Sequence, residues 1–242
     1  MRHDTRKAGF RLPMLSAALG TVAVLAGAAT PEAARSPAEP ALEPAIDTPA
    51  AARPTLAELA AGADLVALAQ VYYTDYDYKR GFPVRGSAYL RILIGYKVPK
   101  DIDSLVVYEQ GLRRDECYFP LTRYGEDGSR FLVFLARHPD GAWRGHPGTC
   151  KVPVAVTRDN KYAIPWPRPE IALPPESEAL VREMEFSDRL AIIDSSEMTR
   201  SLAERRAREI DGEVRDYGIV YRHGLPLIGI RDFLGRDNLK PL

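Results

Sequence analysis

The sequence predicts a mainly β protein, a five- to six-stranded antiparallel Greek-key barrel with a short helix before it and helices after it. Three observations carry this reading. Short apolar runs recur through residues 65–166, separated by Gly, Pro, Asp and Asn turn signals. One of them, GSAYLRILIGYK, alternates with a period of two, so one strand face is much more apolar than the other. Another, FLVFLA, is apolar throughout and must be buried. A closed barrel buries such strands without leaving sticky edges.

In chain order, TLAELAAGADLVALAQVYY opens the domain. Thr55 and Glu58 have capping-box spacing, Leu56 and Leu59 form an apolar stripe, and Gly62 offers a stop, which together specify one short helix. From Leu65 to Tyr73 the run is continuous and reads as a buried strand. The second strand is the alternating run ending at Lys97, and the third is SLVVYEQ from Ser104. A turn at Gly125 to Gly128 leads into Arg130–Arg137, and Pro139–Asp140–Gly141 turns the chain back into Ala142, Trp143 and Arg144. VPVAVT, a turn at Asp159 and Asn160, and KYAIPW read as one more hairpin. Pro167, Pro169, Pro174 and Pro175 form a stiff strap. Helices are expected over Glu176–Met184 and Ser196–Asp211. In the second, Met198, Leu202, Ala203, Ala207 and Ile210 share a face, Glu204 can pair with Arg208, and Gly212 ends the helix. The apolar tail, with a turn at Gly224, is expected to fold back on the barrel.

The chain begins with a basic stretch, then LPMLSAALGTVAVLAGAA, then small residues, which is the pattern of a secretory signal peptide cleaved after Ala28. An uncleaved single-span anchor is the alternative. The domain boundaries that follow are a signal at 1–28, an Ala/Pro-rich linker at 29–54, the barrel at 55–166, and the strap, helices and tail at 167–242. Removing the signal leaves 29 basic against 32 acidic residues, a formal charge of −3. That balance argues against nucleic acid as a partner. The expected location is periplasmic or secreted, with no membrane span after cleavage. The chain's two cysteines, Cys117 and Cys150, lack CxxC spacing and most simply pair in an oxidising compartment.

The order ADLVALAQV, ILIGYK, SLVVYEQ, Cys117, GSRFLVFLARHPDGAW, Cys150 resembles the netrin-like, or tissue-inhibitor-of-metalloproteinases-like, OB-fold module of exported bacterial proteins. The matching positions are Ala63 and Asp64, Lys97, Gly128 with Phe131 to Phe134, and the two cysteines, within roughly residues 55–165. The resemblance implies an OB-like barrel and a binding module rather than an enzyme. Metalloproteinase inhibition in the animal members depends on an N-terminal cysteine that chelates zinc. No cysteine precedes Cys117 here, so that activity is not carried over.

Chemical signatures point the same way. GxSxG, GxGxxG, the phosphate loop, HxH and HExxH patterns do not occur. The histidines of the mature chain are His138, His146 and His223; no metal site and no cofactor is expected from them. Between the first two strands lies YYTDYDYKRGFPVRG, where OB folds place a contact loop. Tyr76, Tyr78, Lys79 and Arg80 are the candidate binding residues, since tyrosine brings apolar area at little rotamer cost and basic side chains add donors. The alternative is that these tyrosines only cover the barrel mouth. The functional expectation is an exported, non-catalytic module binding a protein or an envelope glycan. A small envelope hydrolase, with His138 or His146 meeting a carboxylate such as Asp140, is the alternative.

Overall fold

Helix α1, Leu56–Gly62, starts where its capping box places it. In the computed structural model the Glu58 N–H donates to the Thr55 hydroxyl at 3.2 Å, and the Glu58 carboxylate accepts from the Thr55 N–H at 2.7 Å. These bonds hold the Glu58 carboxyl below its ordinary range. The structure describes residues 53–100, 102–111, 116–125, 127–147, 149–173 and 178–234. The expected signal peptide and all but the last residues of the expected linker lie outside them.

Five strands close the barrel: β1 Leu65–Lys79, β2 Phe82–Lys97, β3 Ser104–Gln110, β4 Arg130–Arg137 and β5 Trp143–Gly145. β1 pairs with both β2 and β4, β2 with β3, β3 with β5, and β5 with β4, so the circuit returns to its start. This is an OB-like order. One pair departs from the antiparallel expectation: Val107 of β3 and Trp143 of β5 run parallel. A short β6, Lys151–Pro153, follows β5 along the same side of β4, opposite Phe131 to Val133.

Strand alternation explains the continuous apolar runs. Leu65, Ala67, Ala69 and Val71 point into the barrel with Leu90, Val107, Val133 and Trp143. The intervening Val66 and Leu68, with Leu132 and Phe134 of β4, face outwards and are equally buried. They meet Leu56 and Leu59 of α1 and Leu225, Leu227, Ile230 and Leu234 of the tail. Strands covered on both faces lose the alternation of half-exposed ones. The tail therefore folds back on the barrel, as its composition predicts.

The rest of the described chain forms two further sheets. Ala155–Val156 (β7), Tyr162–Trp166 (β8), Arg182–Glu183 (β9) and His223–Pro226 (β13) make one, in the order β7-β8-β13-β9. Ile192–Ile193 (β10), Glu213–Arg215 (β11) and Gly218–Val220 (β12) make the other. The hairpin after Cys150 thus exists as β7 and β8, with β8 pairing with the tail, while its first residues, Val152 and Pro153, belong to β6 along β4. Four local readings are corrected. Arg182–Glu183, expected in a helix, is a strand held by His223 and Gly224. Gly224 lies inside β13, and the turn falls at Asp216–Tyr217. Helix α2, Arg200–Glu209, ends on Asp211 in the left-handed region (φ 47°), and the Gly212 N–H donates to the Ala207 carbonyl at 2.8 Å. Finally, Glu204 pairs with Arg200 at 3.0 Å, not with Arg208, and Leu202 is 39% exposed on the outer side of the helix.

Candidate functional site

The residues that carry the family resemblance serve barrel closure. The Asp64 carboxylate accepts the Arg137 N–H at 2.7 Å, and the Asp64 N–H donates to the Leu135 carbonyl at 2.8 Å, tying the first strand to the fourth. Lys97, at the end of β2, donates to the carbonyls of Ala60 and Ala63 and so satisfies orphan acceptors at the C-terminus of α1. Gly128 abuts the β1 backbone, and Cys117 is bonded to Cys150 with Cα atoms 5.9 Å apart. These positions build the scaffold.

The tyrosine-rich stretch is a long hairpin arm. β1 and β2 continue to a two-residue turn at Arg80 (φ 52°) and Gly81 (φ 84°), with Lys79 opposite Phe82. Tyr76 is built into the barrel end: its hydroxyl accepts the Phe119 N–H at 3.0 Å and its ring stands edge-on to Tyr118 at 5.2 Å. Burial pushes its phenol well above the ordinary range. Tyr72 and Tyr73 pack on Tyr89, and Arg85 pairs with Asp77. Of the four candidates, Tyr78, Lys79 and Arg80 remain exposed at the tip, joined by Phe82 at 64% exposure.

The histidines are dispersed. His138 and Asp140 do meet, at 2.9 Å, but on the exposed β4–β5 turn, where Asp140 also accepts from the Ala142 N–H and Arg144. His146 lies against Gly62 of α1, and His223 sits 3.3 Å from Asp211. Among the described residues no three His, Cys, Asp or Glu side chains converge on a metal position.

At the barrel end, Glu109 is buried and accepts the Gly145 N–H at 2.7 Å; desolvation still raises its pKa. Nearby, the Lys151 ammonium lies 4.8 Å from the Phe119 ring centre and 5.8 Å from that of Phe131. Burial lowers its pKa to about 8, against the opposing pull of Glu109. A lysine whose pKa is lower folded than unfolded binds fewer protons in the native state, so stability rises with pH through that window. The melting temperature is expected to climb between pH 8 and 10, and the climb should flatten in Lys151→Met. A profile identical in the two proteins would place the titration elsewhere.

A groove of about 1500 Å³ lies at the other end of β2. Its floor is apolar: Leu93, Ile94 and Tyr96 of β2, Tyr162 of β8, Met184 and Ile228. Ile228 is 73% exposed. Tyr96 is buried, and its phenol is pushed up to about 12 by desolvation. Along the rim, Arg158 pairs with Glu185, Lys161 with Asp159 at 2.6 Å, and Arg222 with Glu183 at 2.7 Å. Lys161 and the Thr157 hydroxyl hold Asp159 down to about 2. Sequence reasoning missed this groove because four separated segments build it. The available signals were Leu93, apolar on the face otherwise occupied by Tyr89 and Arg91, and the ILIG run itself.

Comparisons with protein-family models, with curated proteins and with solved structures gave no match. Fold and site together define a closed five-stranded barrel of OB-like strand order, cinched by a disulfide, with a broad apolar groove beside it. Among the described residues no helix is long and apolar enough to cross a membrane.

Proposed function

We propose that this protein is an exported, non-catalytic binding module of the netrin-like kind that holds a protein partner of the cell envelope in the groove. The apolar floor carries the reading: Ile228 is exposed, Leu93, Ile94, Tyr162 and Met184 are half-buried, and Tyr96 is buried. At about 1500 Å³ the groove exceeds the usual range of small-molecule pockets, which favours an extended ligand. Export to the periplasm or beyond is supported by the Cys117–Cys150 bond, which belongs to oxidising compartments, together with the signal-like N-terminus. Capture is favoured over proton transfer by the state of the rim carboxylates. Asp159 and Glu183 are each tied to a cation and shifted down, the opposite of what a general acid requires.

Ile228→Glu tests the site directly. Because the side chain is mostly in solvent, the melting temperature should change little, while capture of the envelope partner by the full chain should fall about tenfold or more. Phe82→Ala, at the hairpin tip, serves as the comparison. Undiminished capture by Ile228→Glu, with loss in Phe82→Ala, would move the binding surface to the tip.

A further inference from the structure

We propose that the groove receives an extended peptide as an added strand along the free edge of β2, and that the peptide is acidic as well as apolar. This rests on the groove being the ligand site. β3 accompanies β2 only from Arg85 to Arg91. The last main-chain bond on that side runs from the Ile92 N–H to the Asp103 carbonyl, 2.9 Å long. Beyond it β2 keeps β1 as a neighbour, with Ile94 opposite Leu68 and Gly95 opposite Ala67. Leu93 is an extra residue against β1, so the strand bends away at this point. No strand among the described residues pairs with the other edge of Leu93–Tyr96, and that stretch lines the groove.

Exposed edges are usually blunted by charge or proline. Leu93, Ile94, Gly95 and Tyr96 include neither. Main-chain groups that no strand among the described residues pairs, beside an apolar floor, match a partner that brings its own amides together with alternate apolar side chains, the pattern of strand addition. A glycan would leave those amide groups without a regular partner.

Charge sets the peptide's character. Arg158, Lys161 and Arg222 already have carboxylate partners. Arg182 of β9 and Arg231, which lies close enough to Tyr96 to act on its phenol, make no ion pair with a carboxylate among the described residues. Among the described residues Asp103 is the lining carboxylate without an ion pair, and it sits where β3 begins. A bound peptide would therefore set acidic side chains towards Arg182 and Arg231, away from Asp103.

The test uses the full chain with its disulfide intact and labelled synthetic peptides. The probe is acetyl-Glu-Val-Glu-Val-Glu-Val-amide, compared with its Lys-for-Glu counterpart and with a version N-methylated at alternate amides. In fluorescence anisotropy the acidic peptide should bind at least about tenfold more tightly than the basic one, and N-methylation should cost about tenfold per lost amide bond. Arg182→Glu with Arg231→Glu should reverse the charge preference. Hydrogen exchange of the Leu93–Tyr96 amides should slow when the acidic peptide binds. Equal binding of the methylated peptide would overturn strand addition while leaving the groove as ligand site. Failure of every peptide would overturn the proposal as well, and the groove would then be judged by Ile228→Glu alone. Protection of the same amides without peptide, in a chain that sediments as a dimer, would assign the edge to a second copy and also overturn it.

Discussion

Replacing Gly128 with alanine is expected to destabilise the fold by about 3 kcal/mol, at the upper end for overpacking. A Cβ at this position would stand 1.5 Å from the Val71 carbonyl oxygen and 2.7 Å from its carbon. Neither is the free end of a flexible side chain. Both belong to the backbone of β1, which the Val71 N–H bonds to the Ser129 carbonyl at 3.0 Å in the same place. Room for a methyl group could come only from moving the entry to β4 away from β1, at the seam where the barrel closes. The backbone at Gly128 is not in the left-handed region, so lack of a side chain, and not conformational freedom, is what the position requires. Urea titration gives the measurement, with Gly229→Ala as the comparison. At Gly229 the nearest atoms to an added Cβ are Leu180 side-chain carbons at 3.5 Å or more, an ordinary contact, and the midpoint should hardly move. A Gly128→Ala protein as stable as the parent would mean that the seam yields, and that barrel closure is looser than its packing implies.

Removing the disulfide should have an effect of similar size. Cys117→Ala with Cys150→Ala is expected to lose about 3–4 kcal/mol, the chain-entropy value for a loop of this length; the separation is 33 residues. Cys117 is fully buried in the connection from β3 to β4, and Cys150 immediately precedes β6. The bond staples an irregular segment to the barrel wall. Without it, the remaining ties of that segment include the Thr122 N–H to the Thr74 hydroxyl at 3.0 Å, the Thr74 N–H to the Thr122 carbonyl at 3.0 Å, the Phe119 N–H to the Tyr76 hydroxyl, and the Phe119 ring on Phe131. Gly145 runs beneath the bridge, so close that a Cβ there would lie 2.6 Å and 2.9 Å from the two cysteine Cβ atoms. Loss of the bond should therefore loosen the Gly145 N–H to Glu109 contact as well. Denaturation midpoints with and without reductant, and amide exchange at Phe119 and Thr122, supply the check. An unchanged midpoint in the double variant would show that the segment is retained by packing alone.

Elements whose cause is local could be read without coordinates. The capping box at Thr55 and Glu58 fixed the start of α1, because its bonds span three residues. β3 and β4 appear at the predicted Ser104–Gln110 and Arg130–Arg137, since each is an apolar run bounded by turn residues. The pairing of Cys117 with Cys150 was legible because the chain offers no other partner. The hairpin arm was under-read: TDYDYKR carries too few apolar residues to signal a strand, yet the ladder to β2 continues through it. Arg182–Glu183 was misread because a two-residue strand has no period of its own and exists only through His223 and Gly224.

The sequence by itself determined the class of fold, the boundaries of the strongly apolar strands and the disulfide, because periodicity, capping and turn chemistry act over a few residues and the two thiols had only each other. The tertiary structure alone decided the parallel contact between Val107 and Trp143, the burial of Tyr76, and the groove. The groove joins the end of β2 to residues 157–163, 182–185 and 226–231, segments that meet only after the tail has folded back on the barrel. Nothing local marks such a surface, since each of its apolar residues reads as core until the neighbours that leave it uncovered are in place.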